Sequence, residues 1–141
     1  MSSTLVAPAA IRDIETTTLP NGVKIITEAM PHVRSVSVGI WINAGSRRET
    51  PEQNGVSHIV EHMLFKGTER YEKGEIDLIT VNNGGSNNAF TWLDFTAYYF
   101  TFASDRWQIA LEIESDRMGL ESDRGRAQFV ATRLREIART P

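Results

Sequence analysis

The chain has 141 residues, 40% hydrophobic and 23% charged, enough for one domain with a real core and unlike the composition of a disordered chain. No apolar run approaches the roughly 20 residues of a spanning helix, and the absence of cysteine excludes disulfides and thiolate metal sites, leaving His, Asp and Glu as metal ligands. The net charge of −3 is uneven: residues 1–116 carry nine basic and fifteen acidic side chains, whereas residues 117–141 carry six arginines and three acids.

Residues Met1 to Ala10 have neither a basic start nor a long apolar stretch, so they do not read as a secretory signal and a cytoplasmic location is expected. Arg12 to Leu19 and Val23 to Glu28 are β-rich runs around Pro20-Asn21-Gly22, a strong hairpin signal. Ser35 to Ala44 alternates, with Val36, Val38, Ile40 and Ile42 on one face, and predicts a strand with one side on the core. Gly45 to Gln53 is a polar loop, and Asn54 is the expected cap of a helix running through Ser57 to Phe65 and stopped by Gly67. Gly74 to Val81 predicts a second helix, ended by Asn82-Asn83-Gly84-Gly85.

Ser86 to Phe102 is rich in Phe, Tyr, Trp and Thr and predicts one long strand. Ser104 or Asp105 is expected to cap a further helix with Trp107, Ala110, Leu111 and Met118 on its core stripe. In the tail Ala127, Val130, Ala131, Leu134 and Ala138 share a helical stripe, and arginines spread through such a pattern more often form a solvated face than a nucleic-acid contact. The expected fold class is α+β, a mainly antiparallel sheet with a layer of helices on one face.

Chemistry concentrates in His58-Ile59-Val60-Glu61-His62. At about 100° per residue, His58, Glu61 and His62 fall within an arc of about 100°, with Ile59, Val60, Met63 and Leu64 on the other side to anchor the helix in the core. Histidines at i and i+4 can both direct a ring nitrogen to one Zn2+ ion at about 2.0–2.1 Å. A carboxylate beside them can take a proton from metal-bound water, which makes a nucleophile for a carbonyl carbon. Glu61 is the candidate catalytic base, and His58 and His62 are the candidate ligands. His32, after Pro31 in a loop, has no partner pattern and reads as structural.

The motif H-x-x-E-H, continuing through Met63-Leu64-Phe65-Lys66-Gly67-Thr68, resembles that of the pitrilysin and mitochondrial processing peptidase family, the inverzincins. Leu19-Pro20-Asn21-Gly22-Val23, Gly39-Ile40-Trp41-Ile42 and Ala44-Gly45-Ser46-Arg47 are similar to that family's opening hairpin, next strand and pre-motif loop. Downstream, Gly84-Gly85-Ser86-Asn87-Asn88-Ala89-Phe90-Thr91 followed by Thr96-Ala97-Tyr98-Tyr99 resembles its Gly-Gly-x-x-Asn-Ala-aromatic-Thr strand.

The resemblance implies a zinc metalloendopeptidase with one Zn2+ per site. It also implies an extended peptide substrate that adds as a strand to an edge formed by Asn88, Ala89, Phe90 and Thr91; for Thr91 the reading of an ordinary strand residue stands equally open. The family's third ligand is a Glu about 75 residues beyond the second histidine; Glu136 lies 74 residues beyond His62, although its surroundings from Gly119 to Pro141 are unlike the family's. Family members have two or four homologous domains closed like a clamshell, so this chain reads as a partial first domain: an arm at 1–11, a peptidase-like region at 12–118 and a divergent Arg-rich helical tail at 119–141. A homologous domain or subunit that completes the clamshell is the expected protein partner, with neither nucleic acid nor membrane. The alternative function is a non-catalytic peptide-binding or scaffold subunit of the same fold.

Overall fold

A computed structural model describes residues 13–118; the expected arm, the expected helix of the tail and Glu136 lie outside the described residues. Strands β1 (Asp13–Thr18) and β2 (Lys24–Ala29) form the expected antiparallel hairpin, with Thr18 opposite Lys24. Its turn is closed by Leu19 N–H to Val23 O at 2.8 Å and by Gly22 at φ 87°, a left-handed conformation that favours glycine.

The second sheet carries the candidate site. Strand β3 (Ser35–Ile42) pairs antiparallel with β5 (Thr96–Ala103), and β5 pairs with β4 (Ser86–Thr91), so the order is β3-β5-β4 and, among the described residues, β4 is an edge. The run from Ser86 to Phe102 is therefore two strands and a tight turn, where one long strand was expected. Trp92 N–H donates to Phe95 O at 2.8 Å, and the rings of Phe90 and Phe95 meet edge to face across the turn. A turn built from Trp-Leu-Asp-Phe carries only Asp94 as a turn-forming residue, among three large apolar side chains that favour strand.

Three helices, α1 (Val56–Met63), α2 (Glu75–Asn82) and α3 (Gln108–Arg117), pack on this sheet, α1 and α2 against β4 and α3 against β3 and β5. The α+β expectation holds. The core lies between sheet and helices: Phe100 and Phe102 from alternate positions of β5 meet Tyr71, Ile76, Ala110 and Ile113, with Val38, Ile79 and Ile109 at its margin. At the start of α3 the N-cap is Trp107, with no side-chain cap bond; neither Ser104 nor Asp105 fills that role, and Ser104 N–H bonds Arg34 O instead. Among the described residues no helix is long and apolar enough to cross a membrane.

Beneath the core runs a buried charged pair. Arg117 donates to Glu114 Oε1, both side chains are 1% exposed, and the guanidinium lies over the rings of Phe65, Tyr98 and Phe100 at 4.8, 5.0 and 5.5 Å. Burial pushes the Glu114 carboxyl up, against the pull of Arg117. Thr68 donates to Asp116, which ties the turn after α1 to the same helix.

Candidate active site

The N-cap of helix α1 is Gly55, which sits at φ 91° and offers no side-chain cap of its own. Asn54 is not the cap. The first donors are taken by Glu49, whose Oε2 accepts from Gly55 N–H and whose Oε1 accepts from Ser57 N–H, both at 2.7 Å. These backbone bonds hold the Glu49 carboxyl below the usual carboxylate range. At the other end the helix stops at Met63, two tighter i→i−3 bonds follow, from Phe65 N–H to His62 O and from Lys66 N–H to Met63 O, and Gly67 sits at φ 113°, where a Cβ would lie 2.8 Å from Tyr71 O.

On that helix the side chains of His58 and His62 converge. Their Nε2 atoms are 3.0 Å apart and the ring centroids 4.6 Å apart, with both residues exposed. Two nitrogens on one tetrahedral zinc stand about 3.3 Å apart, given bonds of about 2.0–2.1 Å. The donor pair thus fits one zinc ion after a small opening of the rings. Among the described residues no third His, Asp or Glu joins them to complete a metal-binding group.

Glu61 is turned the other way from solvent. It is 7% exposed, the only buried residue of α1, and its Oε2 accepts from Thr91 Oγ1 of β4 at 2.6 Å. Thr96 Oγ1 lies 3.5 Å from the Thr91 hydroxyl and bonds Ala44 O at 2.9 Å, so helix, edge strand and the end of β3 meet at these hydroxyls. Tyr98 lies below, and its phenol is pushed up to about 12, first by burial and then by the negative charge of Glu61.

The apolar stripe of α1 does not anchor in the core as expected. Of its four residues Ile59, Val60 and Met63 are 61%, 50% and 58% exposed and Leu64 alone is half-buried; Val56, at the helix start, is 47% exposed. The helix rests on β4 through its Glu61 side, and nothing among the described residues covers the reverse face.

The hollow between α1 and β4 has a volume of about 370 Å³ and is lined by Ser46, His58, Glu61, Ala89, Phe90 and Thr91. The four strand candidates separate by the two-residue period of β4. Ala89 and Thr91 share the half-buried positions on the helix side, whereas Asn88 and Phe90 occupy the exposed positions, and Phe90 still borders the hollow. Asn88 is outside the lining; its side-chain oxygen accepts from Ala89 N–H at 2.9 Å. Ser46 and Glu49 were not foreseen.

The model for Insulinase (Peptidase family M16) matches residues 24–119. The chain is 46% identical over 99 residues to the uncharacterized zinc protease YmxG of Bacillus subtilis, covering 70% of this chain and 24% of that protein. It is 43% identical over 102 residues to the mitochondrial-processing peptidase subunit beta of Lentinula edodes, covering 72% and 22%. The crystal structure of a protease from Helicobacter pylori superposes with a TM-score of 0.73 at 30% identity, over 77% of this chain and 26% of that one. The chain therefore spans about a quarter of the length of these relatives. With a family match over more than half its length, which includes the helix that carries His58, Glu61 and His62, the chain belongs to the insulinase family of peptidases, M16.

Proposed function

We propose that this chain carries the zinc-binding and base-bearing part of a metalloendopeptidase that cleaves extended peptides. The observation behind this reading is the convergence of His58 Nε2 and His62 Nε2 at 3.0 Å with Glu61 one turn away on the same helix, beside an edge strand. His58 and His62 would hold one Zn2+ ion. When bound, that ion polarises a carbonyl and lowers the pKa of a water towards 7.

The remaining work falls to residues of the chain. Thr91 holds one oxygen of Glu61, which leaves the other to take the proton of the attacking water and pass it to the leaving amine. Edge strand β4 offers its free main-chain groups to an extended peptide, which would lie as a further antiparallel or parallel strand over the hollow. Asn88 must release Ala89 N–H before that amide can bond a substrate carbonyl. Phe90 and Ser46, at the rim, would meet substrate side chains.

Glu136 remains the proposed third ligand, and a homologous domain or subunit is the proposed partner that closes over β4, with the exposed stripe of Val56, Ile59, Val60 and Met63 as further surface for it. A second reading is peptide capture without cleavage, for which the edge of β4 would suffice. Zinc content and cleavage of an unfolded peptide, measured on the full chain and on Glu61→Gln, separate the two. Cleavage that requires zinc and disappears in Glu61→Gln supports hydrolysis, whereas peptide binding without turnover in both proteins supports capture.

A further inference from the structure

Helix α1 has eight residues, too few to persist unaided in water. Its two histidines are held unequally. His62, in the last turn, donates its backbone N–H within the helix, whereas His58 is only the third residue, where the donors have no intrahelical acceptor. Those exposed donors at Gly55 and Ser57 are met by the two oxygens of a single carboxylate, Glu49. A negative group there also faces the positive end of the helix dipole.

The segment that carries Glu49 is fastened on its other side to the turn after β4. Ser46 N–H bonds Trp92 O at 3.1 Å, Arg47 N–H bonds Leu93 O at 2.8 Å, and the Arg47 guanidinium pairs with Asp94 at 2.8 Å. Gly45 lies so close to this turn that a Cβ would stand 2.3 Å from Trp92 O and 2.7 Å from Leu93 O. Residues 45–49 thus form a bracket between the start of the metal-site helix and the end of the edge strand.

We propose that Glu49 is a positioning residue for the metal site: it fixes the first turn of α1 so that His58 reaches the point His62 reaches, at a set distance from β4. This rests on the zinc reading of the two histidines. Glu49 lies outside the lining of the hollow and acts through the backbone of residues 55–57.

The test uses the 141-residue chain with Glu49→Gln and Glu49→Ala, read by zinc titration against a chromogenic chelator and by amide hydrogen exchange. A carboxamide keeps one acceptor oxygen, and alanine keeps none. Protection at Gly55 and Ser57 is expected to fall from wild type through Gln to Ala, and the zinc dissociation constant to rise in the same order, by about tenfold for Ala, the lower end of what loss of a ligand-orienting partner causes. Exchange in β5 is expected to stay unchanged.

Lost protection with an unchanged zinc constant would reduce Glu49 to a local helix cap and overturn the proposal. If the alanine variant does not fold, the glutamine variant decides by the same comparison. A wild-type chain that binds no zinc removes the metal-site reading and this inference with it, whereas tight wild-type binding insensitive to both substitutions removes Glu49 alone.

Discussion

Replacing Thr91 by valine keeps the shape of the side chain and deletes one hydroxyl. That hydroxyl is the only hydrogen-bond donor to Glu61 among the described residues, at 2.6 Å, and the carboxylate it serves is 7% exposed. A hydrogen bond to a charged group contributes about 1.5–3 kcal/mol, and a buried acceptor left without a partner carries its desolvation cost in full. Thr91→Val is therefore expected to lower stability by about 2 kcal/mol, while Thr91→Ser, which restores the donor, recovers most of the loss.

Urea unfolding followed by circular dichroism measures this, and a double-mutant cycle with Glu61→Ala isolates the pair. Once Glu61 is alanine, the valine substitution should cost far less, giving a coupling of about 1.5 kcal/mol or more. A coupling below about 0.5 kcal/mol would show that Thr91 does not hold Glu61, and the placement of the base would need another cause.

Gly45→Ala should lower stability by about 1–3 kcal/mol, because its methyl group would strike the backbone oxygens of Trp92 and Leu93; urea unfolding reads the loss. Phe100→Ala, at a ring with 0% exposure in the centre of the core, should cost about 3–5 kcal/mol in the same measurement. The Glu49 carboxyl titrates lower in the folded chain than its ordinary 4.5, so its cap is complete above that value and is lost as pH falls through the lower, folded one. Exchange protection at Gly55 and Ser57 should accordingly hold from neutral pH down to about 4.5 and decline below it, after correction for the intrinsic pH dependence of exchange. Glu49→Ala should show no such acid step at these amides.

Periodicity and punctuation carried much of this fold. Asn21-Gly22 marked the first turn, and the alternation of Val36, Val38, Ile40 and Ile42 marked β3 with the correct inner face. The i, i+4 spacing of His58 and His62 accounts for the 3.0 Å approach of their Nε2 atoms, since one turn of helix is sufficient to aim such a pair together. Long-range contacts were less legible. The turn at residues 92–95 is held by a ring contact between Phe90 and Phe95 that local propensity treats as strand.

Glu49 caps α1 from six residues before Gly55, beyond the short window in which an N-cap is sought. The apolar stripe of α1 was read as core because amphipathic helices usually bury that face. Here the buried side is the one bearing Glu61, a choice made by Thr91 on a strand thirty residues away.

The most direct test of the metal site is X-ray absorption at the zinc edge on the zinc-loaded chain, beside His62→Ala. A site built on His58 and His62 gives a nitrogen and oxygen shell at about 2.0–2.1 Å with two imidazoles and no sulfur, reduced to one imidazole in the variant. A spectrum with no imidazole, or one unchanged by the substitution, would contradict it.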